Sequence, residues 1–240
     1  MLGLGTSPDE VVFTDSKGVY SEAGDGPSGS GALDTFWRSA ENFKTEASYT
    51  WASGTGMLWA VSQAAPLRRV HVNQNLMLSE AGYASGGFLA DALVGGNILA
   101  GSQQQWLTRN VHVQGAWEAG AWDPVFVGVE GAPAARCGAG GKGNLVVVAQ
   151  TPTIAEKPYI AFGKVALWTL RVPALRTASS GPSWTTDAAP SSSDAVYSFT
   201  QVYVATDVDS AAAINAKLAA GLHVVLSPGI YKLEATLQLS

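Results

Sequence analysis

Between Ser62 and Val113 the chain places the amides and hydroxyl of Gln63, Ser85, Gln103, Gln104 and Gln105 in an otherwise apolar stretch. None of these groups titrates near neutrality, so their chemistry is hydrogen bonding. An amide offers two donors and an acceptor, and a hydroxyl offers one donor and two lone pairs. Such groups either line a groove and hold water or a hydroxylated ligand, or satisfy one another inside the fold. Gln63 and Ser85 are 22 residues apart, and Ser85 and Gln103 are 18 apart. A shared groove therefore requires a backbone that returns to the same place about every 20 residues, as coil-length repeats do.

The elements that would position these residues read as strands. Short alternating pieces such as "VHVNQ", "WLTRNVHV", "VFVGV" and "NLVVVAQ" are bounded by Gly, Asn, Ser and Pro, the pattern of half-buried strands between turns. Superposing "SAENFKT", "LRRVHVN", "LADALVG" and "LTRNVHV" aligns Phe43, Val70, Leu93 and Val111, with separations of 27, 23 and 18 residues. A loose repeat of that length with no intervening helix predicts a parallel β-solenoid, in which each coil buries its apolar face against the next. The expected fold is all-β, a right-handed parallel β-helix of the pectin-lyase-like type. A β-sandwich with irregular loops is the competing architecture, and the scarcity of two-residue hairpin signals counts against it.

Composition divides the chain. Residues 1–175 read as the first β-helix, lacking its N-terminal coils. The Ser, Thr, Pro and Ala-rich stretch that begins at Arg176 makes residues 176–198 a linker or surface excursion. Residues 199–240 read as a capping helix and the first strands of a second β-helix. The helix runs from Ser210 to Ala220, with polar residues Asp207, Asp209 and Ser210 before it and Gly221 after it. A further strand is expected beyond Pro228-Gly229. The opening "MLGLGTSPDEVVF" has none of the parts of a secretory leader, and both ends read as internal to a longer protein.

Several functions are excluded. The net charge of -5, with Arg68-Arg69 the only adjacent basic pair, supplies no basic stripe for nucleic acid. No run approaches the roughly 20 apolar residues of a membrane helix. Cys137 is the sole cysteine, so an internal disulfide framework is ruled out. His71 and His112 sit in repeated "VHV" but lie between core-facing valines, with no cluster to complete a metal site. The Gly-rich "GLGTSPDE" and "GAGGKGN" lack the strand-to-helix context of a phosphate loop, and "GPSGSG" lacks that of a nucleophile elbow. No cofactor is expected. Among acids, Asp91 and Glu130 approach the expected groove, while Glu118 and Asp123 stand with them as alternatives on a solvated rim.

Three elements in order, "WAVSQA" at 59–64, "ASGGFLAD" at 84–91 and "GSQQQWLTRN" at 101–110, resemble glycoside hydrolase family 55, the laminarinase-type exo-β-1,3-glucanases. The likeness continues through "VFVGVEGAPA", "AQTPTIAEKPY" and "LSPGIYKLEATLQL" and is closest to actinobacterial members, often labelled coagulation factor 5/8 type domain-containing proteins. The resemblance implies two tandem β-helices with a cleft between them, and inverting release of glucose from the non-reducing end of β-1,3-glucan. Inversion needs a carboxylic acid on one face of the sugar and an activated water on the other.

On the matching positions, Gln63 and Ser85 would hold the water, and Gln103 and Gln104 would bind sugar hydroxyls. Ser85 has a rival reading as a turn hydroxyl before Gly86-Gly87. Gln105 either joins the sugar contacts or faces outward. The general-acid Glu would lie beyond Ser240, in a second β-helix, so this chain would be incomplete and inactive alone. By the same resemblance the partner is β-1,3-glucan and the location extracellular. Trp117 and Trp122, near the glutamine run, offer the apolar face and polar edge that suit a sugar ring, with core packing as their alternative. The functional alternatives are a non-catalytic polysaccharide-binding or adhesion β-solenoid and, more remotely, a polysaccharide lyase.

Overall fold

The computed structural model describes all residues except 23–31, 34, 37, 64, 81, 121, 139–142, 164–166, 187–193 and 240. "GPSGSG" and part of the 176–198 stretch therefore lie outside the described residues. Seven strands form one parallel sheet: Val12–Phe13, Ala40–Thr45, Pro66–Val72, Gly87–Val94, Trp106–Val113, Pro124–Val127 and Val146–Val148, adjacent in that order. A second sheet stacks Gly54–Leu58, Asn75–Met77, Ile98–Gly101 and Trp117–Ala119 in parallel, with Thr50–Trp51 added at its edge as a hairpin. Four successive coils give one strand to each sheet, which is the parallel β-helix expected from the repeat.

The two sheets close on rows of like residues. Phe43, Val70 and Val111 are fully buried, as are Leu67 with Leu89 and Leu76 with Ile98. One row differs from the expected alignment. Val111 pairs with Ala92, while Leu93 pairs with His112 and His71. A small alanine occupies the core position, and the larger leucine beside it draws a hydropathy-based superposition off by one residue.

Each central strand also carries a left-handed residue. Asn42, Arg69, Asp91 and Asn110 have φ of 58°, 53°, 53° and 50°, and Gly128 continues the row at 62°. The left-handed residue bends each strand at the same place without changing the register and resets the alternation, so that Leu67 and Val70, three apart, both face the core. Asparagine and aspartate accept this conformation more readily than other side chains. The row is buried under two coverings. Asn42 Nδ2 donates to the carbonyls of Gly3 and Gly5, and Arg69 donates to Asn42 Oδ1 and the Thr6 carbonyl. Asp91 accepts from the backbone N–H and hydroxyl of Ser183, and Asn110 donates to Ser179 Oγ and the Gly181 carbonyl.

Part of the stretch read as a linker or surface excursion over 176–198 is tied to the first unit by these contacts. Arg176–Ser179 is a strand antiparallel to Thr151–Ile154, and Trp184, 5% exposed, donates its indole N–H to the Asp91 carbonyl. Composition alone missed this because the stretch carries its anchors singly, among Ser and Thr. The chain forms two compact units, residues 1–156 with 173–193, and residues 157–172 with 194–240, so it leaves the first unit and returns before 175. The solenoid coils end at Val148, and the pairings that follow up to Ser198 are antiparallel: Thr151–Ile154 with Arg176–Ser179, and Tyr159–Phe162, Trp168–Val172 and Ala195–Ser198.

In the second unit Val202–Ala205 pairs in parallel with His223–Leu226, and the helix Ala211–Ala219 connects them. Ser210 caps the helix by accepting from the Ala213 N–H, and Gly221 adopts the positive φ of 78° that follows its last turn. The strand expected after Pro228-Gly229 is not formed. That segment makes no ladder among the described residues and is instead tied by Asn215 to Thr236 and Gln238.

Gly87 shows how little room the site region leaves. A Cβ there would lie 2.1 Å from the ring of Trp106, which is buried in the core. Gly87→Ala is therefore expected to cost about 1–3 kcal/mol, the usual penalty for forcing extra volume into a packed core. Chemical denaturation of the two proteins checks this, and an unchanged midpoint would mean that the indole moves aside freely.

Candidate active site

Sheet register brings the polar residues together. Pro66 pairs with Phe88, Gly87 with Trp106 and Pro124 with Trp106, while Ala84 bridges Gln103. Carried back to the strand entrances, these steps put Gln63, Ser85 and Gln104 in one row on three successive coils, each about 4.8 Å from the next, and the same count of residues on the fourth coil reaches Trp122. Backbone hydrogen bonds hold the row. The Gln63 N–H donates to the carbonyls of Ser85 and Gly86, each at 3.0 Å, and the Gln104 N–H donates to the Ala84 carbonyl at 3.2 Å. Ser62 Oγ accepts the Ser85 N–H at 3.0 Å. Gln63 itself has φ of 47°, a left-handed conformation that a non-glycine residue holds only where its surroundings fix it.

The ends of these side chains are uncommitted. Among the described residues the amides of Gln63 and Gln104 and the hydroxyl of Ser85 make no hydrogen bond, Gln63 is exposed, and Ser85 and Gln104 are half-buried. Trp122, 50% exposed, adds an open indole at the end of the row. Three uncommitted polar groups beside an aromatic face can hold a water and a hydroxylated ring.

Other candidates lie elsewhere. Gln103, expected to bind sugar, is 2% exposed and its amide is used inside the coil, with Oε1 accepting from the Gly86 N–H and Nε2 donating to the carbonyls of Val61 and Leu78. Alternation along the chain turned it inward and left its neighbour Gln104 in the row. Gln105 is exposed, and its carbonyl lies near Gly86. Trp117 belongs to the second sheet. Its half-buried ring meets buried Phe126 edge-on at 4.9 Å, so it packs in the core.

The four acids are held as structural or rim groups. Asp91 is buried beside Arg69, Glu118 accepts from Asn97, Asp123 from Asn144, and Glu130 from Ser180 while facing His112 at 3.3 Å. His71 faces Asp9 at 2.6 Å, and no group of three metal-ligating side chains occurs among the described residues.

Sequence reading missed two buried acids, Glu41 and Glu156. Glu156 is 6% exposed and pairs with Arg109, whose guanidinium, like that of Arg68, also lies over the Phe88 ring. Burial, with the negative charge of Asp91 adding to it, holds the Glu156 carboxyl above its ordinary 4.5, against the pull of Arg109, Arg68 and Arg176. Burial likewise lowers Arg68, opposed by Glu41. A raised carboxyl is what a general acid needs. Glu156, however, is tied to Arg109, five residues beyond Gln104 along the same coil, or about 16 Å at 3.3 Å per extended residue.

The role of Glu156 is therefore read through stability. A carboxyl raised on folding contributes stability that is fully present below 4.5 and is lost as pH climbs through the raised folded value. The Tm difference between the wild type and Glu156→Gln should thus move in favour of the variant as pH rises from about 4.5. A difference constant from pH 4 to about 7.5 would show that Arg109 fully compensates the buried charge.

Comparison with known proteins fits this geometry. No family model matches the chain. Over 241 residues, all of this chain, it is 37% identical to an exo-beta-1,3-glucanase of Streptomyces sp. (strain SirexAA-E / ActE). The structure of sacteLam55A from Streptomyces sp. SirexAA-E superposes on 97% of the chain with a TM-score of 0.83 at 36% identity. By sequence and by structure the chain is similar to part of these proteins. A variant of sacteLam55A in complex with glucose superposes equally widely, with a TM-score of 0.84 at 37% identity. The chain spans 37% of the glucanase's length and 40% of each solved chain.

Proposed function

We propose that this chain is the water-holding half of an inverting exo-β-1,3-glucanase that releases glucose from laminarin-type glucan. The observation that carries the reading is the row of Gln63, Ser85 and Gln104 on adjacent coils, with side-chain ends uncommitted. In this mechanism Gln63 and Ser85 orient a water towards the anomeric carbon, Gln104 donates to a ring hydroxyl, and Trp122 supports the sugar face. The protonating acid comes from a second β-helix, because none of the acids described above stands over the row. The relative's glucanase name and the glucose complex of sacteLam55A support the substrate class. A polymeric glucan is met outside the cell, so we also propose an extracellular site of action.

The test uses the chain joined to the further length that its relatives possess. Proton NMR of laminarioligosaccharide hydrolysis should show α-glucose as the first product, since inversion at a β-linkage yields the α-anomer. β-Glucose as the first product would overturn the inverting mechanism. Binding of the oligosaccharide with no hydrolysis would favour a polysaccharide-binding solenoid.

A further inference from the structure

Gln103 has the connections of a part that sets the geometry of the site without touching its ligand. Its side chain joins three places. Oε1 accepts the Gly86 N–H at 2.7 Å, and Nε2 donates to the Val61 carbonyl and the Leu78 carbonyl, each at 3.1 Å. Val61 lies two residues before Gln63, and Gly86 directly follows Ser85. Gly86 also supplies one of the two carbonyls that accept the Gln63 N–H. Gln103 itself directly precedes Gln104 and bridges Ala84. One buried amide thus fastens the chain on three coils, next to each of the three side chains of the row.

The local backbone needs such a fastening. Gln63 is left-handed at φ of 47°, and Gly86 has φ of 88° with the Gln105 carbonyl 3.2 Å from where a Cβ would sit. A non-glycine residue in that region stays there only if its neighbours over-determine it. Without the amide, the carbonyls of Val61 and Leu78 and the N–H of Gly86 would each lack this partner in a buried setting.

We propose that Gln103 is a positioning residue for the proposed hydrolysis, acting through Gln63 and Ser85 and making no contact with sugar. The inference rests on the glucanase reading above. Both Nε2 hydrogens are engaged, so the side chain has no donor to offer a ligand.

Two experiments test it. The first uses the side-chain amide resonances of the chain titrated with laminaribiose. Those of Gln63 and Gln104 should shift, and those of Gln103 should stay in place and resist exchange with solvent. Movement of the Gln103 signals together with those of Gln104 would overturn the proposal in favour of sugar contact.

The second compares kcat and KM in the active polypeptide for Gln103→Met and Gln103→Glu, well below the melting temperature of each. The expected result is a fall in kcat of about tenfold or more with KM within about twofold, the signature of an interaction that matters mainly in the transition state. In a Gln63→Ala background the same substitution should lower kcat by less than about threefold further, because residues that act together are non-additive. An equal loss in both backgrounds, or a folded variant with kcat within about twofold of the wild type, would overturn the proposal. If neither variant folds, the amide titration decides alone. Failure of the glucanase reading looks different: the unsubstituted polypeptide releases no glucose and no amide in the row shifts.

Discussion

Asp91→Ala should destabilise the first unit by about 3–5 kcal/mol, the range for removing one partner of a buried ion pair. The Asp91 carboxylate lies 3.5 Å from the Arg69 guanidinium, with the two side chains 4% and 8% exposed. The same carboxylate accepts the N–H and hydroxyl of Ser183, so the substitution also releases the segment that covers the left-handed row. Arg69 would remain buried at φ of 53° with its carboxylate gone. Urea unfolding monitored by tryptophan fluorescence measures the loss, and Trp184, bonded to the Asp91 carbonyl, lies close enough to report on it. Asp91→Asn keeps an acceptor for Ser183 and should cost less. If Asp91→Ala lowers stability by under about 1 kcal/mol, the pair is no stronger than a surface bridge and the segment is held by Trp184 instead.

With the register given by the structure, that row becomes legible in the sequence. Asn42, Arg69, Asp91 and Asn110 occupy one place in "ENF", "RRV", "ADA" and "RNV", each directly before a core residue. A polar residue at a fixed offset in every repeat is a backbone signal, since a left-handed residue interrupts the alternation. Asp91, a candidate groove acid because it follows "SGG", is instead buried beside Arg69. The strands themselves were legible because parallel coils repeat the same in-and-out pattern, and the repeat length followed from the apolar rows. What failed was phase. Choosing Leu93 over Ala92 is a one-residue error, and in a strand one residue separates core from surface.

The same sensitivity divides the glutamine run. Gln103 and Gln104 are neighbours with identical chemistry, yet one is sealed among the carbonyls of Val61 and Leu78 and the other stands in the row. Trp117 and Trp122 differ for a comparable reason. The first is inside a strand of the second sheet and packs on Phe126, and the second precedes a strand and keeps half its surface open. No feature of residue type separates these pairs, because burial is set by register with neighbouring coils. The protonating acid of the proposed mechanism was not legible, since no carboxylate among the described residues shares the spacing of the row.

Loss of the row's side chains should affect catalysis more than any other change considered. Ser85→Ala and Gln63→Ala are each expected to lower kcat on laminarioligosaccharides by about 10²–10⁴-fold, the range attributed to positioned acid–base groups and the waters they control. Neither change should disturb folding, because the Ser85 hydroxyl and the Gln63 amide make no hydrogen bond among the described residues. KM should move little, since a water-holding group contributes to the transition state more than to the bound sugar. The double variant carries the sharpest expectation. Two groups that hold a single water fail together once either is lost, so removing both should cost about as much as removing one. Multiplying losses would mean that Gln63 and Ser85 act separately, one on the water and the other on the sugar. Unchanged kcat in both single variants, measured where the parent polypeptide is active, would move the attacking water to another part of the cleft and leave this row as a sugar-binding surface.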